Sequence, residues 1–298
     1  MKIIFSRKGF DSSIGKVASP ILPAGQLCSL PIPETLSGAN PLPYQDILYD
    51  GQSLGKLVHD LTNGKISPCT PAHLDPDLNR ASIPRLPGWK GIFGQAGAAE
   101  SHLQNQSVGE GDVFLFYGWF RRVEQCAGIY RYVPDAPDLH VIFGWLQIEQ
   151  RIPVAQRSRI PPWACDHAHC RRAQPLAPDS LYIASERIAL PGITLDKPGA
   201  GFFSQYHPSL CLTNQEPYDS RRIWRLPHWL SPAHGRSPLT YHPNLQHWQT
   251  QADHVLLRSA GRGQEFVLDC DEYPEAIEWL TNLIINEKGE RLWVSGSA

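Results

Sequence analysis

Methionine is almost absent from this chain, since Met1 is the single copy. No stretch approaches the roughly 18 apolar residues that a membrane-spanning helix needs. The opening Met1-Lys2-Ile3-Ile4-Phe5 runs straight into polar residues. It lacks the apolar h-region of roughly 7–15 residues that an export signal carries, so a cytoplasmic protein without a membrane anchor is expected. Charge of either sign is not in excess. The formal net charge of −2 excludes the basic footprint of a general duplex binder, so any contact with a polyanion must come from a local patch. A cysteine framework is also lacking: seven scattered cysteines, an odd number, are read as reduced thiols. A nucleophile elbow, a phosphate-cradling Walker loop and a dinucleotide fingerprint are absent from the sequence.

What is present points to a folded, loop-rich chain. The residues are 42% hydrophobic and 19% charged, enough apolar mass for a sizeable core. Twenty-seven prolines and 24 glycines favour turns and long loops over a helical bundle. Nine tryptophans supply flat surfaces for packing or for stacking on a ligand. Lys2 to Ser6 reads as a short strand that empties into a polar loop. Leu27–Ile32 reads as another strand and residues 46–64 as a helix. Two apolar strands are expected at 113–120 and 139–147. They share an aromatic-Gly-Trp pattern, Phe116-Tyr117-Gly118-Trp119 against Ile142-Phe143-Gly144-Trp145, which suggests antiparallel neighbours. A glycine inside a strand marks a bulge or a close approach of something to the backbone. Ala98 to Gln106 reads as a short helix. Further strands fall at Leu181–Ala184 and Phe266–Leu268, with a loop-dominated region at 191–250 between them. A C-terminal helix over about 274–285 starts at Pro274. No linker stands out, so one domain over 1–298 is expected. Its class is α+β, with a mixed, mostly antiparallel sheet or a partly closed barrel, a few helices and long Pro/Gly-rich loops.

Several blocks are longer than generic motifs. They are Phe5-Ser6-Arg7-Lys8-Gly9-Phe10-Asp11-Ser12-Ser13, Ser19-Pro20-Ile21-Leu22-Pro23, Ser29-Leu30-Pro31-Ile32-Pro33 and His73-Leu74-Asp75-Pro76-Asp77-Leu78. Gly94-Gln95-Ala96-Gly97-Ala98-Ala99 and the run from Gly111-Asp112 through Trp119-Phe120-Arg121 complete the set. Across most of residues 1–250 the chain resembles the third class of nucleotide-modification-associated domains. The resemblance implies a setting of bacterial or phage nucleic-acid modification. It carries no catalytic set that can be transferred. The short helix, Gly-Asp turn and apolar strand ending in Gly-Trp are also similar to PUA-like barrels, some of which bind modified bases.

Several groups of residues can carry chemistry. In the first loop, Arg7 and Lys8 with Ser12 offer cations and a hydroxyl to a phosphate. Asp11 can act there as a general base or orient Arg7; the same loop also fits a solvated surface turn. His73, Asp75 and Asp77 combine imidazole and hard oxygen ligands for a divalent metal, while Asp75-Pro76 also reads as a helix N-cap. Cys165, His167 and His169 would share one face of an extended segment and leave a fourth position open, as in a catalytic zinc site; ordinary loop histidines are the alternative. Gln95 and His102 flank the short helix, and His102 can serve as an acid or base near neutral pH. Trp119 and Trp145 offer base-stacking surfaces or plain core packing. The pairs Arg121-Arg122, Arg171-Arg172 and Arg221-Arg222 can form a basic patch or remain separate surface charges. The leading expectation is a protein that binds or chemically modifies a nucleotide or a modified nucleic-acid base through a local basic and aromatic patch. The alternatives are a metal-dependent hydrolase built on the His/Cys/Asp clusters, a non-catalytic modified-base reader, and a partner subunit. Whether the chain is an enzyme stays open.

Overall fold

The computed structural model describes residues 1–34, 40–172, 176–261 and 265–285. Two long strands, Val113–Cys126 and Leu139–Pro153, form its centre. Val, Phe, Tyr, Ile and Trp dominate both, residue types that fit a pleated, buried surface. They pair antiparallel from Phe120 opposite Leu139 to Val113 opposite Gln147, as the shared Gly-Trp pattern suggested. The register shifts between Ile142 and Gly144. At Gly144 an added Cβ would meet Leu78 Cδ1 at 2.5 Å and the Gly201 carbonyl at 2.8 Å, so this strand glycine marks both a bulge and a close approach.

The strand Lys2–Arg7 lies parallel to Val113–Cys126 and antiparallel to Glu265–Asp269, which forms one edge. On the other side Leu139–Pro153 is followed by Asp179–Ala184 and then by Ile92–Ala96 at the opposite edge. The sheet is mixed and mostly antiparallel, and it is not a closed barrel. It is nevertheless strongly curled. Phe93 lies 4.9 Å from Phe114 and 5.1 Å from Phe116 by ring centroid, although two other strands separate them in the sheet. Gln95 on one edge donates to the carboxylate of Glu265 on the other. The rings of Phe93, Phe114, Phe116 and Tyr182 fill the hollow and are all fully buried. Each contributes about 1.5–3 kcal/mol through burial, so the hollow is the main apolar store of the fold.

Four α-helices are described: α1 (Leu54–Leu61), α2 (Gly97–Asn105), α3 (Ala168–Arg171) and α4 (Glu275–Ile285). The expected helix over 46–64 shortens to α1. Residues 44–46 form a single 3-10 turn, and the small hairpin of Leu48–Tyr49 with Gln52–Ser53 follows; Ser53 then caps α1 by accepting from the Gly55 amide. The expected strand over Leu27–Ile32 reduces to a bridge at Leu27 and the two-residue strand Ile32–Pro33. The region 191–250 carries more structure than its polar content suggested. Ile223–Pro227 and Trp248–Thr250 both pair with His254–Arg258 in a small antiparallel sheet that buries Trp224, Leu226, Val255 and Leu257. All seven cysteines are unpaired thiols. Among the described residues no helix is long and apolar enough to cross a membrane.

Candidate functional site

The edge strand Ile92–Ala96 has one side free of strand partners, and the segment after His73 covers it. Asp77 exchanges backbone hydrogen bonds with Ile92, and Asp75 Oδ1 accepts the Gly94 amide at 2.8 Å. Exposed ladder amides are thereby satisfied. Asp75-Pro76 opens no helix, because the Asp75 carboxylate is used on this strand instead.

His73 itself sits on the two-residue strand Ala72–His73, held opposite Ile32. The second half of the site comes from α3. The 165–170 segment is not extended: His167 is the N-cap of α3, its Nδ1 accepting from the His169 amide. The helical turn packs the His169 ring onto the bare backbone of Gly94. A Cβ there would lie 2.3 Å from His169 Cδ2 and 2.7 Å from Nε2. Only glycine gives the ring this place.

Three imidazoles therefore surround one carboxylate. His73 Nε2 is 3.8 Å and His169 Nε2 3.6 Å from Asp75 Oδ2, and His167 Nε2 is 3.3 Å from Asp75 Oδ1. All four side chains are less than a tenth exposed. The outer nitrogens are fixed by further carboxylates. His73 Nδ1 meets Glu34 Oε2 at 2.6 Å, and His169 Nδ1 meets Asp179 Oδ1 at 2.6 Å. Arg172 neutralises Asp179 at 3.3 Å. Its guanidinium is also 3.4 Å from His169 Nδ1 and 3.5 Å from Nε2. The two ring nitrogens diverge in plane, so a fork near both lies over the ring face. His167 Nε2 is buried, and its contact with Asp75 is an ion-pair approach without hydrogen-bond geometry.

Electrostatics follow from this packing. Burial alone would raise the Asp75 pKa, but His167, His169 and His73 outweigh it and hold the carboxyl well below the usual range. For His73 burial acts downward, and Asp75 and Glu34 more than offset it, so its pKa is raised. His167 is lowered by burial despite Asp75.

His167 also lines a cleft of about 530 Å³ with Asp77, Arg85, Trp89, Trp163 and Arg171. Arg85 grips Asp77 through two bonds of 2.5 Å and lies 4.5 Å from the Trp89 ring centroid, while its Nε is buried without a partner. Trp163 is partly exposed and packs on the apolar cluster behind Ile92.

The sequence-predicted residues do not all come together at one place. His167 and His169 join His73 and Asp75, whereas Cys165 is exposed, its thiol near the Pro161 carbonyl at 3.6 Å, and stands outside the cluster. Lys8 and Gln95 meet at Glu265 on the inner face of the sheet. Lys8 Nζ is 2.9 Å from the carboxylate, whose other oxygen is buried and unpartnered. His102 is close to that group but bonds Thr240 at 3.1 Å, and burial lowers its pKa. Asp11 accepts the amides of Ser13 and Ile14, both at 2.7 Å, and so shapes its own loop, while Ser12 is exposed. Arg7 donates to the Gly261 carbonyl. Arg221 lies 4.3 Å over Trp119, and the pKa of His140 is lowered first by burial and then by the charges of Arg221, Arg7 and Arg222. Trp145 is buried, donates to the Pro198 carbonyl and packs on Phe203, which makes it a core residue. Sequence reasoning missed Glu34, Asp179, Arg85, Trp89 and Trp163. Gly94, within the run Ile92-Phe93-Gly94-Gln95, was the available clue.

A curled mixed sheet carries a buried imidazole–carboxylate cluster at the wall of an aromatic cleft. The chain belongs to the nucleotide modification associated domain 3 family, whose model matches residues 2–269. No curated protein and no solved structure matches it. Its role accordingly lies in nucleotide modification.

Proposed function

We propose that the chain binds a nucleotide, or a base within a nucleic acid, in the Trp89–Trp163 cleft, and that the histidine–aspartate cluster acts chemically on it. One observation carries this reading: His167 lines the cleft while its Nε2 lies 3.3 Å from the Asp75 carboxylate. A ligand in the cleft therefore lies against a buried, titratable group. Such groups are costly to keep in a core and concentrate where chemistry is done, which favours an enzyme over a non-catalytic reader.

The cleft suits a base and its phosphate. The Trp163 ring is free of any described ring partner and offers a face for stacking, whereas Trp89 is already covered by Arg85. The Arg171 guanidinium at the rim makes one backbone bond, to the Asn40 carbonyl, and retains donors for an anion. Family membership favours nucleotide chemistry over a hydrolase of unrelated substrates.

The test is titration of nucleoside monophosphates and short oligonucleotides into the wild type and Trp163→Ala. Base–aromatic stacking contributes about 1–3 kcal/mol, so affinity should fall roughly tenfold to a hundredfold. Equal affinities in two folded proteins would remove the cleft from the reading.

A further inference from the structure

We infer that His73 Nε2, Asp75 Oδ2 and His169 Nε2 form a mononuclear site for a divalent first-row transition ion, with open coordination positions toward His167 and the cleft. The inference deepens the nucleotide-modifying reading, because it gives that site its reactive centre.

The hydrogen bonds set the argument. Glu34 and Asp179 are carboxylates 2.6 Å from the Nδ1 atoms of His73 and His169, so in each neutral ring Nδ1 carries the proton and Nε2 a lone pair. Both lone pairs face the ionised Asp75. Two imidazole lone pairs and a carboxylate oxygen directed at one point repel, and a metal cation relieves that repulsion as a proton on the ring does.

The distances agree. At 3.6 and 3.8 Å the contacts are too long for hydrogen bonds. Ligands about 2.0–2.1 Å from a tetrahedral ion are separated by roughly 3.3–3.4 Å, so a small inward shift brings these atoms into a coordination shell. The three ligand atoms already lie within 4.8 Å of one another. A carboxylate behind each ligating imidazole is the supporting arrangement that metal sites use. Imidazole with carboxylate suits zinc, iron, manganese, cobalt or nickel rather than magnesium or calcium. Arg172 does not fill the position, since its guanidinium lies over the His169 ring face and its charge is taken by Asp179.

His167 supplies the second, independent observation. Its Nδ1 accepts a backbone amide, so its Nε2 carries a proton; that buried N–H lies 3.3 Å from Asp75 Oδ1 without hydrogen-bond geometry, and the same side chain lines the cleft. It is placed to donate to a water or substrate oxygen on the ion, not to ligate. Cys165 takes no part.

The experiment titrates the full chain, stripped with chelator, with Zn²⁺ by calorimetry and with Co²⁺ by visible absorption. One ion per chain is expected. His73→Gln and Asp75→Asn should each weaken binding at least a hundredfold, and Asp179→Asn about tenfold to a hundredfold as a loss of ligand support. His167→Gln and Cys165→Ser should bind like the wild type. Thermal melts identify any variant that fails to fold, and the near-isosteric substitutions at His73 and Asp75 keep the test decisive. No saturable ion, or undiminished binding in folded His73→Gln and Asp75→Asn, overturns the site. Retained metal binding in Cys165→Ser alone would not rescue it. Nucleotide titration of the chelator-stripped protein separates the two proposals, because base stacking at Trp163 does not need the ion.

Discussion

Gly94→Ala is the smallest change that strikes the candidate centre. The added methyl would start 2.3 Å from His169 Cδ2 and 2.5 Å from Cγ. Carbon atoms pack at about 3.5–4.0 Å, so the ring must withdraw by roughly 1 Å or more. The 2.6 Å bond from His169 Nδ1 to Asp179 cannot survive that displacement. Overpacking of this kind costs about 1–3 kcal/mol. Part of a bond to an ionised acceptor, about 1.5–3 kcal/mol, is lost as well. The expected destabilisation is therefore about 3 kcal/mol, read from the denaturant midpoint. Gly109→Ala is the matched control, because nothing lies within 4 Å of a Cβ there. It should be neutral, or stabilise by less than about 1 kcal/mol through the unfolded chain. If Gly94→Ala unfolds at the wild-type midpoint, the His169 ring does not occupy the described place, and the cluster loses its geometry.

Three further outcomes follow from the same structure. Lys8→Met leaves Glu265 buried with Gln95 as its remaining partner, so stability should fall by about 3–5 kcal/mol while nucleotide affinity holds; the reverse pattern would make Lys8 a ligand contact. His242 is held at about 4, below its ordinary 6.5, first by burial and then by the charges of His247 and Arg222. Its Nε2 accepts the Ala260 amide and must stay unprotonated in the fold. The unfolded chain takes up the proton first, so this contribution, about 3 kcal/mol at most, is complete above pH about 6.5 and is lost as pH falls toward about 4. His242→Gln should flatten stability across that window, and an unchanged slope would contradict the assignment. If the substrate is a strand, Arg221→Ala should weaken oligonucleotide binding without altering mononucleotide binding; equal loss of both would place Arg221 at the nucleotide itself.

The sheet was legible where local chemistry agreed with the final packing. The aromatic-Gly-Trp strands paired as their pattern implied, and α4 began directly after Pro274. The site was less legible because its parts come together only through the sheet. His73 and Asp75 were recognised as one metal candidate and His167 and His169 as part of another, but nothing local says that α3 folds back over the strand carrying Gly94. Cys165 was included by assuming an extended segment with alternating faces. The His167 side chain instead caps a helical turn and sends the cysteine outward. Lys8 and Gln95 read as ligand contacts, yet the curl of the sheet brings both onto Glu265. Trp145 and Trp119 carry the same local pattern. Gly201 leaves room for the Trp145 ring inside the fold, whereas Arg221 covers Trp119.

The central claim, that the Trp163 cleft receives a nucleotide, is tested most directly by the indole N–H resonances. The nine tryptophans give nine indole signals, and the eight within the described residues report from known places in the fold. On saturation with a nucleoside monophosphate, the Trp163 signal should shift most and be missing from the response of Trp163→Phe, while buried Trp145 and Trp224 stay unmoved. Shifts confined to Trp119, or no shift at any indole under saturating ligand, would contradict the account.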